Sequence, residues 1–317
     1  MEAYVVGVDL GGTQIRAGLV DATGRVLRRR RTLTRGEEGP NAVIDRMVHL
    51  IREVMAGEPA SVRGIGVASP GPIDPRSGVV RFAPNLPGWR DIPLKARLEQ
   101  RLGLPVVVGN DANLAALAEH HFGAGRGIRD MIYITVSTGI GGGILVDGHL
   151  LVGHHGYGAE IGHQTVEDAG PRCKCGNVGC LEAMASGTAI AREGRIAVAS
   201  GEPTRLAELC EGDVWRVDAR MVAEAARAGD AVAREIYRRA GHYLGVGIVN
   251  LMHIFNPQRI ILGGSVMKAK DLLMPAMWEV IRARAWPVVQ EDFDVVEAAL
   301  GDDVGILGAA ALALREV

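Results

Sequence analysis

The sequence predicts an α/β protein of two domains, and three observations carry that prediction. The chain has 317 residues, beyond the length at which one hydrophobic core keeps growing. Apolar runs of strand length alternate with amphipathic stretches of helix length. The pattern that opens the chain, an apolar run broken by glycines and then resumed, returns near its middle. Apolar residues make up 48% of the sequence, enough for a large core. The formal charge is -2, and only four of the 35 basic residues are lysine. With a pI near 6.5, this balance implies no basic face for nucleic acid. The basic run Arg28 to Arg31 reads as a solvated strand end. Ala3 to Val8 is too short for a signal peptide and no run reaches the length of a membrane span, so a cytoplasmic protein without membrane partners is expected.

Tyr4 to Leu10 reads as a buried strand that passes through Asp9 into Gly11-Gly12-Thr13, and Ile15 to Val20 resumes as its hairpin partner. Such a turn offers bare backbone N–H groups that can wrap phosphate oxygens, with Asp9 placed to hold magnesium directly or through water. A plain hairpin is the alternative on this stretch alone. Val26 to Leu33 completes a meander. Asn41 to Met55 has Val43, Met47, Leu50, Ile51 and Val54 on one face and predicts a helix. Neither G-x-x-x-x-G-K-[ST] nor G-x-G-x-x-G occurs, so P-loop and dinucleotide folds lose their usual support.

Arg63 to Ala68 is a further strand, followed by a rigid loop through Ser69-Pro70-Gly71-Pro72. Pro84-Asn85-Leu86-Pro87-Gly88-Trp89 has the same character. Its amide and indole suit a sugar ring, with a turn and a core tryptophan as the alternative. Ile92 to Leu102 reads as helical and Pro105 to Val108 as a buried strand. That strand leads through Asn110 to Asp111, where a helix over Leu114 to His121 begins. The carboxyl end of a strand is where open α/β sheets place their chemistry, although Asp111 could equally be that helix's cap.

From Met131 the opening hairpin repeats, with Thr138 and Gly139 in the second glycine turn. Two such turns facing across a cleft could grip one nucleotide's phosphates from both sides. Helices are expected over Ala185 to Ala199, Asp218 to Arg227 and Ala231 to Phe255. A strand over Arg259 to Leu262 follows, then a third glycine turn at Gly263-Gly264-Ser265, suited to close approach by an adenosine. A tightly packing helix over Asp303 to Leu314 closes the chain.

Between these stretches lies the chain's densest chemistry. Three of the four cysteines, Cys173, Cys175 and Cys180, follow His163 within a few residues, and three thiolates with one imidazole complete a tetrahedral shell for structural zinc. In a reducing compartment clustered thiols suit a metal better than disulfides. Glu160 and Glu182 flank the cluster, so a metal that fixes His163 also fixes both carboxylates.

Taken in order, D-x-G-G-T, S-P-G-P, N-L-P-G-W, N-D-A-N, S-T-G-I-G-G-G, G-A-E-I-G-H, C-K-C-G-x-x-G-C-L-E and G-G-S resemble the ROK family of sugar kinases and repressors, and most of all its bacterial glucokinases. The resemblance spans nearly the whole chain. It implies a two-domain actin-like, ribonuclease H-like ATPase fold with a cleft between the domains. The expected boundaries are 1–112 plus 301–317 for the small domain and 113–300 for the large one. It further implies transfer of a phosphoryl group from ATP, with Mg2+, to the 6-hydroxyl of glucose, and a homo-oligomer, dimer or tetramer. By position, Asp111 corresponds to the general base, and Gly71, Asn85, Asn110, Glu160, His163 and Glu182 to sugar ligands. Asp9, Gly11, Gly12, Thr13, Thr138, Gly139, Gly263 and Gly264 fall to the nucleotide, and His163, Cys173, Cys175 and Cys180 to Zn2+.

Other readings remain at this stage. Kinases for N-acetylmannosamine, mannose or fructose in the same family share most of these motifs. A ROK repressor would carry a DNA-binding domain ahead of the first strand and commonly lacks the phosphate-binding glycines. A zinc hydrolase needs an open metal position, which three thiolates and a histidine would close.

Overall fold

The computed structural model describes residues 4–57 and 62–317. Tyr4–Leu10 (β1), Gln14–Asp21 (β2) and Val26–Leu33 (β3) form the expected antiparallel meander. Gly39–Met55 (α1) follows, with proline in its first turn where a missing N–H costs nothing, and Val62–Ser69 (β4) returns parallel to β1. The proline-rich stretch read as loops contains three short strands, Ile73–Asp74 (β5), Val79–Phe82 (β6) and Arg90–Pro93 (β7), paired as a small antiparallel sheet. The next helix, Leu94–Leu102 (α2), therefore begins later than its periodicity suggested, because Ile92 and Pro93 belong to β7. Trp89 is buried in the core, which settles the indole as packing.

Val106–Asn110 (β8) runs parallel to β4 and leads directly into Asp111–Phe122 (α3). Met131–Val136 (β9), Ile140–Val146 (β10) and His149–Leu150 (β11) begin the second sheet. Leu181–Ala185 (α4), Gly187–Ala199 (α5), Leu206–Leu209 (α6), Ala219–Arg227 (α7) and Ala231–Phe255 (α8) follow. Arg259–Gly263 (β12) pairs parallel with β9. Lys270–Arg284 (α9), Pro287–Gln290 (α10), Asp294–Glu297 (β13) and Val304–Glu316 (α11) end the chain. Among the described residues no helix is long and apolar enough to cross a membrane.

The duplication read from the sequence is visible in the sheets. One has the order β3-β2-β1-β4-β8 and the other β11-β10-β9-β12-β13, a hairpin-led half joined to two crossover strands in each case. The chain divides into two compact units, residues 1–129, 143–159 and 298–317 in the first and 130–142 and 160–297 in the second. These limits differ from those read off the sequence at α3 and at residues 143–159, both of which join the first unit. Leu114 and Leu117 of α3 share a buried cluster with Ala309 and Ala311 of α11, within the first unit.

In the first unit, α1 and α2 cover one face of the sheet with a large aliphatic core. On the other face α11 lies unusually close. A Cβ on Gly7 of β1 or Gly66 of β4 would run into the carbonyl oxygens of Ile306 and Ala309, so these glycines admit the helix. The Arg28–Arg31 run lies on β3, where Arg28 donates to the carbonyl of Val54 at 2.7 Å and Arg29 pairs with Asp303. In the second unit the long helix α8 packs on α9, its Gly241 and Gly245 seated on the carbonyls of Leu273 and Met277.

Candidate active site

In the first unit, the turn after β1 is shaped by its own hydrogen bonds. Gly11 N–H donates to the Gln14 carbonyl at 2.9 Å, and the Thr34 hydroxyl donates to the Gly11 carbonyl at 2.6 Å. Among the described residues the N–H groups of Gly12 and Thr13 have no hydrogen-bond acceptor, and both residues are exposed. They form a small cradle of donors for an anion. Asn85 stands against this turn, since a Cβ on Gly12 would meet the Asn85 Cβ at 3.0 Å. Asp9, the penultimate residue of β1, stands just before the cradle. Burial raises its carboxyl pKa above the ordinary value, and Arg16 only partly opposes this. A largely buried carboxylate beside bare N–H groups fits a divalent cation, which would compensate its charge.

Asn110 and Asp111 stand side by side with separate tasks. The cap of α3 is Asn110, whose Oδ1 accepts from the N–H groups of Ala112 and Asn113 at 3.0 and 3.1 Å. This corrects the alternative in which Asp111 capped the helix. Asp111 is instead the first residue of α3, exposed at the carboxyl end of β8, and its Oδ1 shares the Ala112 N–H with Asn110, accepting at 2.8 Å. Asn110 also donates through Nδ2 to the Gly71 carbonyl at 3.2 Å. Gly71 has φ 87°, and a Cβ there would strike the Phe82 carbonyl, so only glycine holds this acceptor in place.

In the second unit, His163, Cys173, Cys175 and Cys180 converge, with their ligand atoms all within 4.8 Å of one another. The separations fit a metal. Cys175 and Cys180 sulfurs are 3.7 Å apart, and Cys173 Sγ is 3.7 Å from His163 Nδ1, whereas the edge of a tetrahedron with Zn–S of about 2.3 Å is about 3.8 Å. Burial raises the pKa of the Cys173 thiol and pushes that of Cys180 up to about 12, whereas a backbone hydrogen bond from Asn177 helps hold Cys175 lower. Thiols in such a cage ionise when a cation shares it. With Nδ1 on the metal side, His163 keeps Nε2 as an N–H donor.

Glu160 and Glu182 do come together with His163. The carboxyl pKa of Glu160 is raised first by burial and further by the charge of Glu182, against the opposing effect of His163. Glu182 is committed on one side, its Oε2 accepting from Ile140 N–H at 2.9 Å. Ile140 closes the second glycine turn, in which the N–H groups of Thr138 and Gly139 have no hydrogen-bond acceptor among the described residues.

Gly263 and Gly264 are glycines for an internal reason. Side chains there would collide with the Tyr133 ring and the Val136 carbonyl, and Gly264 has φ 95°. Beyond them opens a cavity of about 450 Å³, lined by Ser137, Thr138, Ala191, Ala223, Ser265 and Val266 among others. The hydroxyls of Ser137 and Ser265 stand 2.9 Å apart at its floor. Sequence reasoning missed this pair, although each serine follows a strand that enters a glycine turn. It also missed Gly187 and Thr188, whose ties to the second turn are tertiary.

The ROK family model matches residues 5–316. The glucokinase of Thermotoga maritima is 42% identical over 308 residues, covering 97% of this chain and 96% of that protein. Among solved structures, the ROK hexokinase from Thermus thermophilus superposes with a TM-score of 0.84 at 37% identity, covering 99% of this chain and all of that one. A ROK family glucokinase from Streptomyces griseus, in complex with glucose and AMPPNP, gives 0.82 at 37% identity and covers 98% and 99% of the two chains. These likenesses identify the paired sheets as the two-domain actin-like fold of sugar kinases, and the chain belongs to the ROK family.

Proposed function

We propose that this protein is a glucokinase, transferring the γ-phosphoryl group of ATP to the 6-hydroxyl of glucose with Asp111 as general base. The observation that carries the reading is the division of labour at the start of α3. Asn110 caps the helix and leaves Asp111 exposed at the carboxyl end of β8, where a substrate hydroxyl can reach it. The kinship with glucokinases adds the substrate class.

Phosphoryl transfer asks a protein for positioning and charge stabilisation more than for covalent chemistry. Gly11, Gly12, Thr13, Thr138 and Gly139 hold the donor's phosphates, and the unbonded N–H groups of four of these residues supply the anion contacts. Asp9 faces the Mg2+ that accompanies ATP, which neutralises charge on the phosphates. The base and ribose take the cavity beyond Gly263 and Gly264, where Ala191, Ala223 and Val266 offer apolar wall and Ser137, Ser265 and Asp218 offer polar groups. Asn85, Asn110, Glu160, His163 and Glu182 supply donors and acceptors for the sugar hydroxyls, and the Gly71 backbone keeps Asn110 in register. Asp111 takes the proton of the attacking hydroxyl late in the transfer, a task for an ordinary carboxylate.

A structural zinc held by His163, Cys173, Cys175 and Cys180 would order the knuckle and lock the tautomer of His163. Intact thiols suit a cytoplasmic setting. The test is ATP consumption, coupled to a reporter, across glucose, mannose, fructose, N-acetylglucosamine and N-acetylmannosamine. Glucose should give the highest kcat/KM. Preference for another sugar would revise the substrate and leave a kinase, and no sugar-dependent ATP use would end the proposal.

A further inference from the structure

We propose that Glu182 is a positioning residue for the donor-phosphate turn, and that through it the cysteine–histidine knuckle is wired to nucleotide binding. This rests on the reading of Thr138 and Gly139 as phosphate ligands. The turn from Ser137 to Ile140 is fixed by one short segment that follows the knuckle directly. Ile140 N–H donates to Glu182 Oε2 at 2.9 Å, and the Ser137 carbonyl accepts from Gly187 N–H at 2.7 Å. The Thr138 carbonyl accepts from both the hydroxyl and the N–H of Thr188, at 2.9 and 3.3 Å. Gly139 belongs to the same arrangement, because a Cβ there would run into Glu182 Oε2.

An anion cradle works only if its free donors point one way, so the turn's other polar groups must be satisfied elsewhere. Residues 182–188 do this, leaving the N–H groups of Thr138 and Gly139 unbonded. The far end of the brace lies in the knuckle. Glu182 stands two residues after Cys180, and its Oε1 is 4.0 Å from Cys173 Sγ. The cysteines thus fix the start of α4, α4 carries Glu182, and Glu182 holds Ile140. A single carboxylate serves two substrates, with Oε2 spent on the donor turn and Oε1 left for a sugar hydroxyl.

Glu182→Ala and Glu182→Gln separate the two tasks. Glutamine keeps one carbonyl oxygen for Ile140 N–H and places an amide donor where the sugar needs an acceptor. Binding of Mg-AMPPNP and of glucose is measured by calorimetry on the metal-loaded protein, with hydrogen exchange followed at the Ile140 amide. Glu182→Ala should weaken AMPPNP by about 10- to 100-fold, the worth of a hydrogen bond to a charged group, and should speed Ile140 exchange. Glu182→Gln should hold AMPPNP within about threefold of wild type while weakening glucose. Thr188→Val, which removes the hydroxyl tie to the Thr138 carbonyl and a bond to Ser186 within the brace, should weaken AMPPNP by about 2- to 10-fold, and chelation should speed Ile140 exchange in the wild type. Native Ile140 protection and AMPPNP affinity in a metal-loaded, folded Glu182→Ala protein would overturn the inference, as would equal losses in the Ala and Gln variants. Failure of wild type to bind AMPPNP would instead overturn the underlying assignment of the turn.

Discussion

Asn110 and Asp111 are adjacent, yet their substitution should damage different properties. Asn110→Ala removes the side-chain cap from two helix N–H groups and leaves the Gly71 carbonyl without its donor. A lost cap costs about 1 kcal/mol and a lost hydrogen bond about 1 kcal/mol more. A total of about 2 kcal/mol should lower Tm by about 4–8 °C in a unit of this size. Asp111→Ala leaves the bonds of Asn110 in place and removes only an exposed contact to Ala112 N–H that Asn110 also accepts, so its Tm should stay within about 2 °C of wild type, whereas kcat should fall by about two to four orders of magnitude. Calorimetric melting with and without AMPPNP, alongside steady-state kinetics at saturating glucose, separates the outcomes. Near-normal turnover in Asp111→Ala would remove it from the mechanism, and a Tm loss equal to that of Asn110→Ala would mean that the cap had been assigned to the wrong residue.

Three further outcomes follow from the same geometry. Asp9→Asn should stabilise the fold by about 0.5–2 kcal/mol, read as a higher Tm, while lowering activity, since a raised carboxyl pKa marks a charge that burial disfavours. That stabilisation should be full at neutral pH and vanish below the ordinary carboxylate range, where the unfolded carboxyl is also protonated; a pH-independent gain in melting profiles would refute the cause. Gly71→Ala forces a side chain into φ 87° and against the Phe82 carbonyl, so it should cost at least about 1–2 kcal/mol and raise KM for glucose more than KM for ATP. Cys175→Ser or chelation should lower glucose phosphorylation in step with zinc content, near one zinc per chain by elemental analysis; full activity without metal would reduce His163 to an ordinary sugar ligand.

The parts of this fold written in local pattern were legible beforehand. β1, β2 and β3 announce themselves by apolar runs and a glycine turn, α1 and α8 by period and length, and the metal cage by cysteine spacing. The sheet of β5, β6 and β7 was not, because its strands are short and proline-flanked, and their pairing decides them. Trp89 beside an asparagine suited a sugar, though a core tryptophan was the better reading of the stretch alone, and burial bears the core out. Asp is a good cap, so the sequence left Asp111 open between cap and base, and nothing local showed that Asn110, equally able to cap, holds that place. Nothing local marks Glu119 in α3, whose fully buried carboxylate accepts from the N–H groups of Ala124, Ala299 and Leu300. Glu182 was legible as a neighbour of the cysteine–histidine cluster, but its grip on Ile140 is a tertiary fact.

The central claim is that the chain transfers phosphate from ATP to one hydroxyl of a hexose with Asp111 as base. Phosphorus–proton correlated NMR of the product formed from ATP and glucose tests it most directly, with wild type and Asp111→Asn run side by side. The account predicts glucose 6-phosphate and ADP in equal amounts from the wild type, and a rate lower by about two to four orders of magnitude from the variant. Phosphate on another carbon, free phosphate without sugar ester, or an equally fast Asp111→Asn protein would contradict it.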